Sequence, residues 1–99
     1  EPLKKMSTHP SKLTGQLEGM SVEELAIQLS QLRYDTLSKF LDCLASNISA
    51  DGDKDHDAGR VILSSFLDST ARKLWKAGEE ISSAWGVCEP YMEGDETKK

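Results

Sequence analysis

Between positions 63 and 88, apolar or small residues recur at alternating steps of four and three. Unbroken heptad spacing over more than three repeats is typical of a helix that packs along one seam. The seam positions are Leu63, Leu67, Thr70, Leu74, Ala77, Ile81, Ala84 and Cys88. We therefore predict a long amphipathic helix over about residues 56–86.

The ends of this helix are predicted from the residues that flank it. Asp55 or Asp57 can cap its start, because an Asp side chain accepts a hydrogen bond from a free backbone N–H of the first turn. Gly86 can adopt the left-handed conformation that ends many helices. Pro90 lacks the backbone N–H that a continuing helix needs.

An earlier helix begins at a capping box, in which the side chains of Ser21 and Glu24 each bond the other residue's backbone N–H. Apolar residues at steps of three and four follow, and no Pro or Gly interrupts residues 20–51. A cluster of short polar residues then indicates a helix end. The prediction is a helix over about 21–48 and an acidic connector over 51–57.

Two helices of similar length joined by a short connector pack antiparallel. The predicted fold class is therefore all-α, an antiparallel two-helix hairpin completed as a helical bundle by dimerisation or by a partner. Residues 21–88 form this domain. Residues 1–20 are interpreted as a flexible leader and 89–99 as a flexible acidic tail. Residues 1–5 are interpreted as vector-derived, because Met6 resembles a natural start.

Two helices cannot bury every large apolar residue that the sequence places on them. The residues left over are the predicted partner-binding surface, because apolar and aromatic side chains dominate protein interfaces. They are Leu25, Leu29, Leu32, Phe40, Phe66, Trp75 and Trp85. The expected partner is a second copy of the chain or another protein.

The acidic connector contains the candidate metal ligands. Asp53, Asp55 and Asp57 occupy positions one, three and five of a spacing like that of an EF-hand loop. The sixth position should be Gly but is Ala58, and the twelfth should be Glu but is Ser64. We expect a solubilising connector that caps the second helix, and neither a metal nor a cofactor.

Charge and hydropathy exclude several kinds of partner. The net charge of −5 disfavours direct binding to nucleic acid or to an anionic membrane. No apolar run approaches the roughly 18 residues that a membrane span needs. No segment has the residue order of a signal peptide, so a cytoplasmic location is expected.

The sequence lacks a convergent set of catalytic groups. His9 and His56 are the only histidines and Cys43 and Cys88 the only cysteines. In the predicted hairpin, the two cysteines lie at opposite ends, and both are expected to be reduced and mostly buried. Neither a nucleophile-elbow motif nor a phosphate-binding glycine loop is present, and no enzyme is predicted.

The predicted function is that of a non-enzymatic interaction protein, a small helical adaptor or inhibitor of a bacterial or phage accessory type. One alternative is an acidic decoy that blocks a nucleic-acid-binding site on a host enzyme, with Asp51, Asp53, Asp55 and Asp57 standing in for phosphates. A further alternative is a calcium-binding helical hairpin.

Overall fold

The structure is a computed structural model that describes residues 9–97, and the side chains of residues 9–91. Within that range its secondary structure is helical, without strands, which confirms the all-α part of the predicted fold class. The elements are a short 3-10 helix at Gly15–Leu17, α1 at Val22–Ser30, α2 at Tyr34–Asp57 and α3 at Val61–Thr97. The chain divides into two compact units, Glu1–Leu32 and Arg33–Lys99. The proposed vector-derived residues 1–5 lie outside the described range.

Helix α1 begins at the predicted capping box. The backbone N–H of Glu24 donates to Ser21 Oγ at 3.0 Å, and the N–H of Ser21 donates to Glu24 Oε1 at 3.1 Å. This reciprocal pair satisfies two backbone donors that the first turn leaves free. The start of α1 is therefore confirmed.

The single helix predicted over 21–48 is wrong, because α1 and α2 are separate helices. The break falls at residues 31–33 and contains neither Pro nor Gly. Arg33 has extended backbone angles, with φ −55° and ψ 146°, and its side chain binds Asp35 two residues ahead. Residues two apart do not face each other on a continuous helix, so the break is what allows this contact.

The predicted acidic connector is also wrong, because α2 continues through residues 51–57. The helix ends at a Schellman motif centred on Gly59, whose φ is +88°. In that motif the N–H of Gly59 donates to the carbonyl of His56, and the N–H of Arg60 to that of Asp55. The true connection between α2 and α3 is therefore only three residues, 58–60.

Helices α2 and α3 pack antiparallel along a small-residue seam. Each helix contributes three small residues at steps of seven: Ser38, Ala45 and Gly52 on α2, and Ser64, Ala71 and Gly78 on α3. Ala45 and Ala71 are completely buried, and Gly52, Gly78 and Ser64 are also buried.

Close backbone approach explains why the seam consists of small residues. A Cβ atom added at Gly52 would lie 3.4 Å from the Cβ of Leu67 and 3.6 Å from the carbonyl oxygen of Ser64. At the other end, the hydroxyl of Ser38 donates to the carbonyl oxygen of Gly78 at 2.9 Å. The contact at Gly52 holds the acidic segment on α3, which offsets its poor helix propensity.

Helix α3 also differs from its prediction, since it starts at Val61 and continues past Gly86 and Pro90 to Thr97. Gly86 does not have a positive φ, so it does not end the helix. A proline inside a helix removes the bond to the carbonyl four residues earlier, which for Pro90 is that of Gly86.

The small-residue seam leaves the large apolar side chains at its margins. Among the described residues, no large side chain is fully buried. Four leucine or isoleucine residues of the predicted second-helix seam are half-buried: Leu63, Leu67, Leu74 and Ile81. The two-helix hairpin prediction is thus replaced by three helices, two of which pair closely. No helix within residues 9–97 is long and apolar enough to cross a membrane.

Candidate functional site

The most exposed apolar residues of α3 lie on one side of that helix. Each residue of an α-helix advances by about 100° around the helix axis. Seven exposed positions of α3 therefore lie within about 40°, measured around that axis, of one line parallel to it. We call this surface the outer face of α3. It consists of Ile62, Phe66, Lys73, Lys76, Glu80, Val87 and Tyr91.

The outer face lies roughly opposite the small-residue seam, so α2 does not cover it. Its four apolar side chains are largely in solvent: Ile62 is 76% exposed, Phe66 67%, Val87 74% and Tyr91 75%. A single exposed apolar residue is ordinary, whereas several aligned on one rigid helix indicate a docking surface.

Charge is concentrated at the middle of the outer face. Lys73, Lys76 and Glu80 separate the apolar pair Ile62 and Phe66 from the apolar pair Val87 and Tyr91. Within the part of the chain whose side chains are described, neither Lys73 nor Glu80 forms an ion pair. These charges remain available to a partner.

The predicted partner-binding residues do not form one surface. Phe66 and Trp75 are nine residues apart on α3, which puts them about 180° apart around the helix. Phe66 belongs to the outer face, while Trp75 is 36% exposed on the other side.

Trp85 is already engaged within the chain. Its ring lies under the guanidinium of Arg33, with 5.1 Å between Arg33 Cζ and the ring centroid, a cation–π distance. Arg33 is oriented by Asp35, to which Nε donates at 2.8 Å and Nη2 at 3.0 Å. The side-chain hydrogen bond from Arg33 lowers the pKa of Asp35. This cluster fastens the start of α2 to α3.

The remaining predicted residues are only partly accessible. Leu25 and Leu29 are half-buried on α1, and Leu32 is half-buried just after it. Phe40 is half-buried on α2. Cys43 is exposed, which corrects the expectation of a mostly buried thiol, and Cys88 is half-buried.

The acidic residues of 51–57 are distributed around a helix. Asp53 and Asp57 are exposed on one side, and Asp51 and Asp55 lie on another. Asp55 Oδ1 accepts a hydrogen bond from Arg60 Nε at 2.9 Å and forms an ion pair with Arg60 Nη2, also at 2.9 Å. The Asp55 side chain is only 13% exposed. Among the described residues, no group of three or more His, Cys, Asp or Glu could hold a metal ion.

Sequence reasoning missed most of the outer face. Val87 and Tyr91 lie beyond the predicted helix end at Gly86, so they could not be assigned to a helix face. The signal was present in the spacing, because steps of four and seven connect Ile62, Phe66 and Lys73 and then Glu80, Val87 and Tyr91.

Comparisons with protein-family models, curated proteins and solved structures gave no significant match.

Proposed function

We propose that this chain is a non-enzymatic interaction module that binds a protein through the outer face of α3. The observation that supports this most strongly is the alignment of four apolar side chains, each at least two-thirds exposed, on one side of one helix. Burying such side chains against a partner is favourable by roughly 25 cal/mol per Å² of apolar surface.

Rigidity of the helix supports the same proposal. Helix α3 is held by the small-residue seam and by the cluster of Arg33 and Trp85, neither of which uses the outer face. A partner would therefore meet a preformed surface, which lowers the entropy that binding costs. A small adaptor or inhibitor in the cytoplasm, of a bacterial or phage accessory type, fits such a surface.

Photo-crosslinking tests the proposal. The photoreactive residue p-benzoylphenylalanine replaces Phe66 or Val87 in the cells that make the protein. The matched control replaces Ser82, which is exposed on α3 but lies roughly opposite the outer face. We expect covalent protein adducts from positions 66 and 87 and not from position 82, and mass spectrometry identifies the partner. Adducts no more abundant at 66 and 87 than at 82 would overturn the proposal.

The acidic-decoy alternative receives less support. A row of phosphate mimics needs carboxylates along one side of the protein, whereas those of 51–57 point in different directions and Asp55 is paired with Arg60. Calcium binding receives less support for the same reason. Photo-crosslinking from Asp53 to a nucleic-acid-binding enzyme, with loss of the adduct at high salt, would favour the decoy instead.

A further inference from the structure

We infer that the partner of the outer face is a second copy of this chain, paired antiparallel along α3. The inference rests on the proposed function and specifies its partner. It follows from the order of apolar and charged residues along the outer face, which is nearly unchanged when the helix is reversed.

The apolar residues match under that reversal. A two-fold axis passing between residues 76 and 77 places Ile62 opposite Tyr91 of the second copy, and Phe66 opposite Val87 of the second copy. By symmetry the same apolar contacts form at both ends. Ile62 and Tyr91 are 29 positions apart in the sequence, so the paired surface extends about 44 Å at 1.5 Å per residue.

The charges match as well. The same axis places Lys73 opposite Glu80 of the second copy, and the symmetric pair forms on the other side of the axis. Two-fold interfaces require such self-complementarity, since each surface patch meets its own copy. Neither side chain has an ion-pair partner among the described residues, so pairing would not break an existing contact.

A parallel arrangement lacks this complementarity. It would place Lys73 on Lys73 and Glu80 on Glu80, and like charges that face each other disfavour a complex. The antiparallel pairing leaves one unfavourable contact, between the two copies of Lys76 beside the axis. Lys76 can turn toward Glu80 of its own helix, four residues ahead. We therefore expect a weak, reversible dimer.

Charge reversal tests the pairing through sedimentation equilibrium of the full chain. The wild-type protein is expected to dimerise within a range of about 1 µM to about 500 µM, which is where weak interfaces dissociate. Lys73→Glu and Glu80→Lys should each raise the dissociation constant at least about tenfold, because each puts two like-charge pairs in the interface. Lys39→Glu, the same charge change at an exposed position of α2, should leave it unchanged.

Restoration gives the decisive result. The double variant Lys73→Glu/Glu80→Lys should dimerise like the wild type, because the reversed charges again face opposites. An equimolar mixture of the two single variants should form heterodimers for the same reason. A double variant as weak as either single variant would overturn the antiparallel pairing.

Cysteine crosslinking tests the orientation independently, in a chain with Cys43→Ser and Cys88→Ser. A cysteine at position 76 lies beside the proposed axis, so Lys76→Cys should form a disulfide-linked dimer on mild oxidation. Phe66→Cys should not, because its copies would be about 30 Å apart, far beyond disulfide reach. Crosslinking at 66 would indicate a parallel dimer, in which every position faces its own copy, and would overturn the inference. A chain that does not crosslink at 76 would overturn it too.

The two proposals fail in different ways. A wild-type chain that stays monomeric over the whole concentration range overturns self-pairing. If positions 66 and 87 still photo-crosslink to a different protein in cells, the interaction function stands with another partner. If they crosslink to nothing, both proposals fail.

Discussion

The hydroxyl of Ser38 on α2 donates a hydrogen bond to the backbone carbonyl of Gly78 on α3, across 40 positions of sequence and 2.9 Å of space. A side chain as short as serine reaches a neighbouring helix backbone only where the two helices lie unusually close. The small-residue seam provides that closeness, and it determines which apolar side chains are left at the surface.

Ala71→Leu should destabilise the protein, because Ala71 is completely buried in the small-residue seam between α2 and α3. Extra methylene groups in a tight seam typically cost about 1–3 kcal/mol. Urea unfolding followed by circular dichroism measures the effect. Ser83→Leu, at an exposed position of the same helix, should change stability by less than about 0.5 kcal/mol. Equal effects at the two positions would contradict a tight seam.

Two glycines seven residues apart should respond oppositely to alanine. Gly52→Ala should stabilise by up to about 1 kcal/mol, because Gly52 is helical and its new Cβ would meet Leu67 at 3.4 Å and the Ser64 carbonyl oxygen at 3.6 Å, both ordinary van der Waals distances. Gly59→Ala should destabilise by about 1 kcal/mol, because the φ of Gly59 is +88°. Thermal unfolding of both variants checks the pair, and a stabilising Gly59→Ala would be inconsistent with the Schellman motif.

Ser21→Ala should weaken α1 by about 1 kcal/mol, since it removes the acceptor for the N–H of Glu24. Amide hydrogen exchange at residues 22–25 should become faster. Ser21→Asp should restore protection, because aspartate is also a good N-cap residue. Unchanged exchange in Ser21→Ala would show that the capping box does not stabilise α1.

Asp35 should make stability depend on pH at the acidic end. Its pKa is lowered chiefly by the hydrogen bond from Arg33, so the folded pKa lies below the unfolded value of about 3.9. The stabilisation is therefore fully present above the unfolded pKa and is lost as the pH falls through the folded one. NMR titration of the Asp35 carboxyl carbon measures this pKa. Arg33→Gln should raise it, and an unchanged midpoint would contradict the assigned cause.

Some helix ends were predictable and others were not. The capping box of Ser21 and Glu24 is local chemistry within four residues, so it could be read from the sequence. The break at Arg33 could not, because Arg33 is held by Trp85, which lies 52 positions away. The same holds at Gly52, a residue that commonly ends helices but here packs against Leu67.

The sequence predicted that an exposed apolar surface exists, but not which residues form it. An excess of apolar residues over what two helices can bury predicted an exposed surface, and Phe66 was correctly placed on α3. The placement of Val87 and Tyr91 depended on where α3 ends, because Gly86 and Pro90 predict an end before them. That of Trp75 did not, since its nine-residue spacing from Phe66 already places the two side chains on opposite sides of a helix.

The sequence by itself determined that this chain is helical, where α1 starts, and that large apolar side chains would remain uncovered, because these properties depend on local periodicity and composition. Tertiary structure decided which row of residues forms the contact between α2 and α3. Small residues at steps of seven let the two backbones approach closely. Ser38, Ala45 and Gly52 therefore lie at the centre of the contact between the helices, and the leucines lie at its edges. Because α3 packs on α2 through this seam, the opposite side of α3 is left exposed as the outer face.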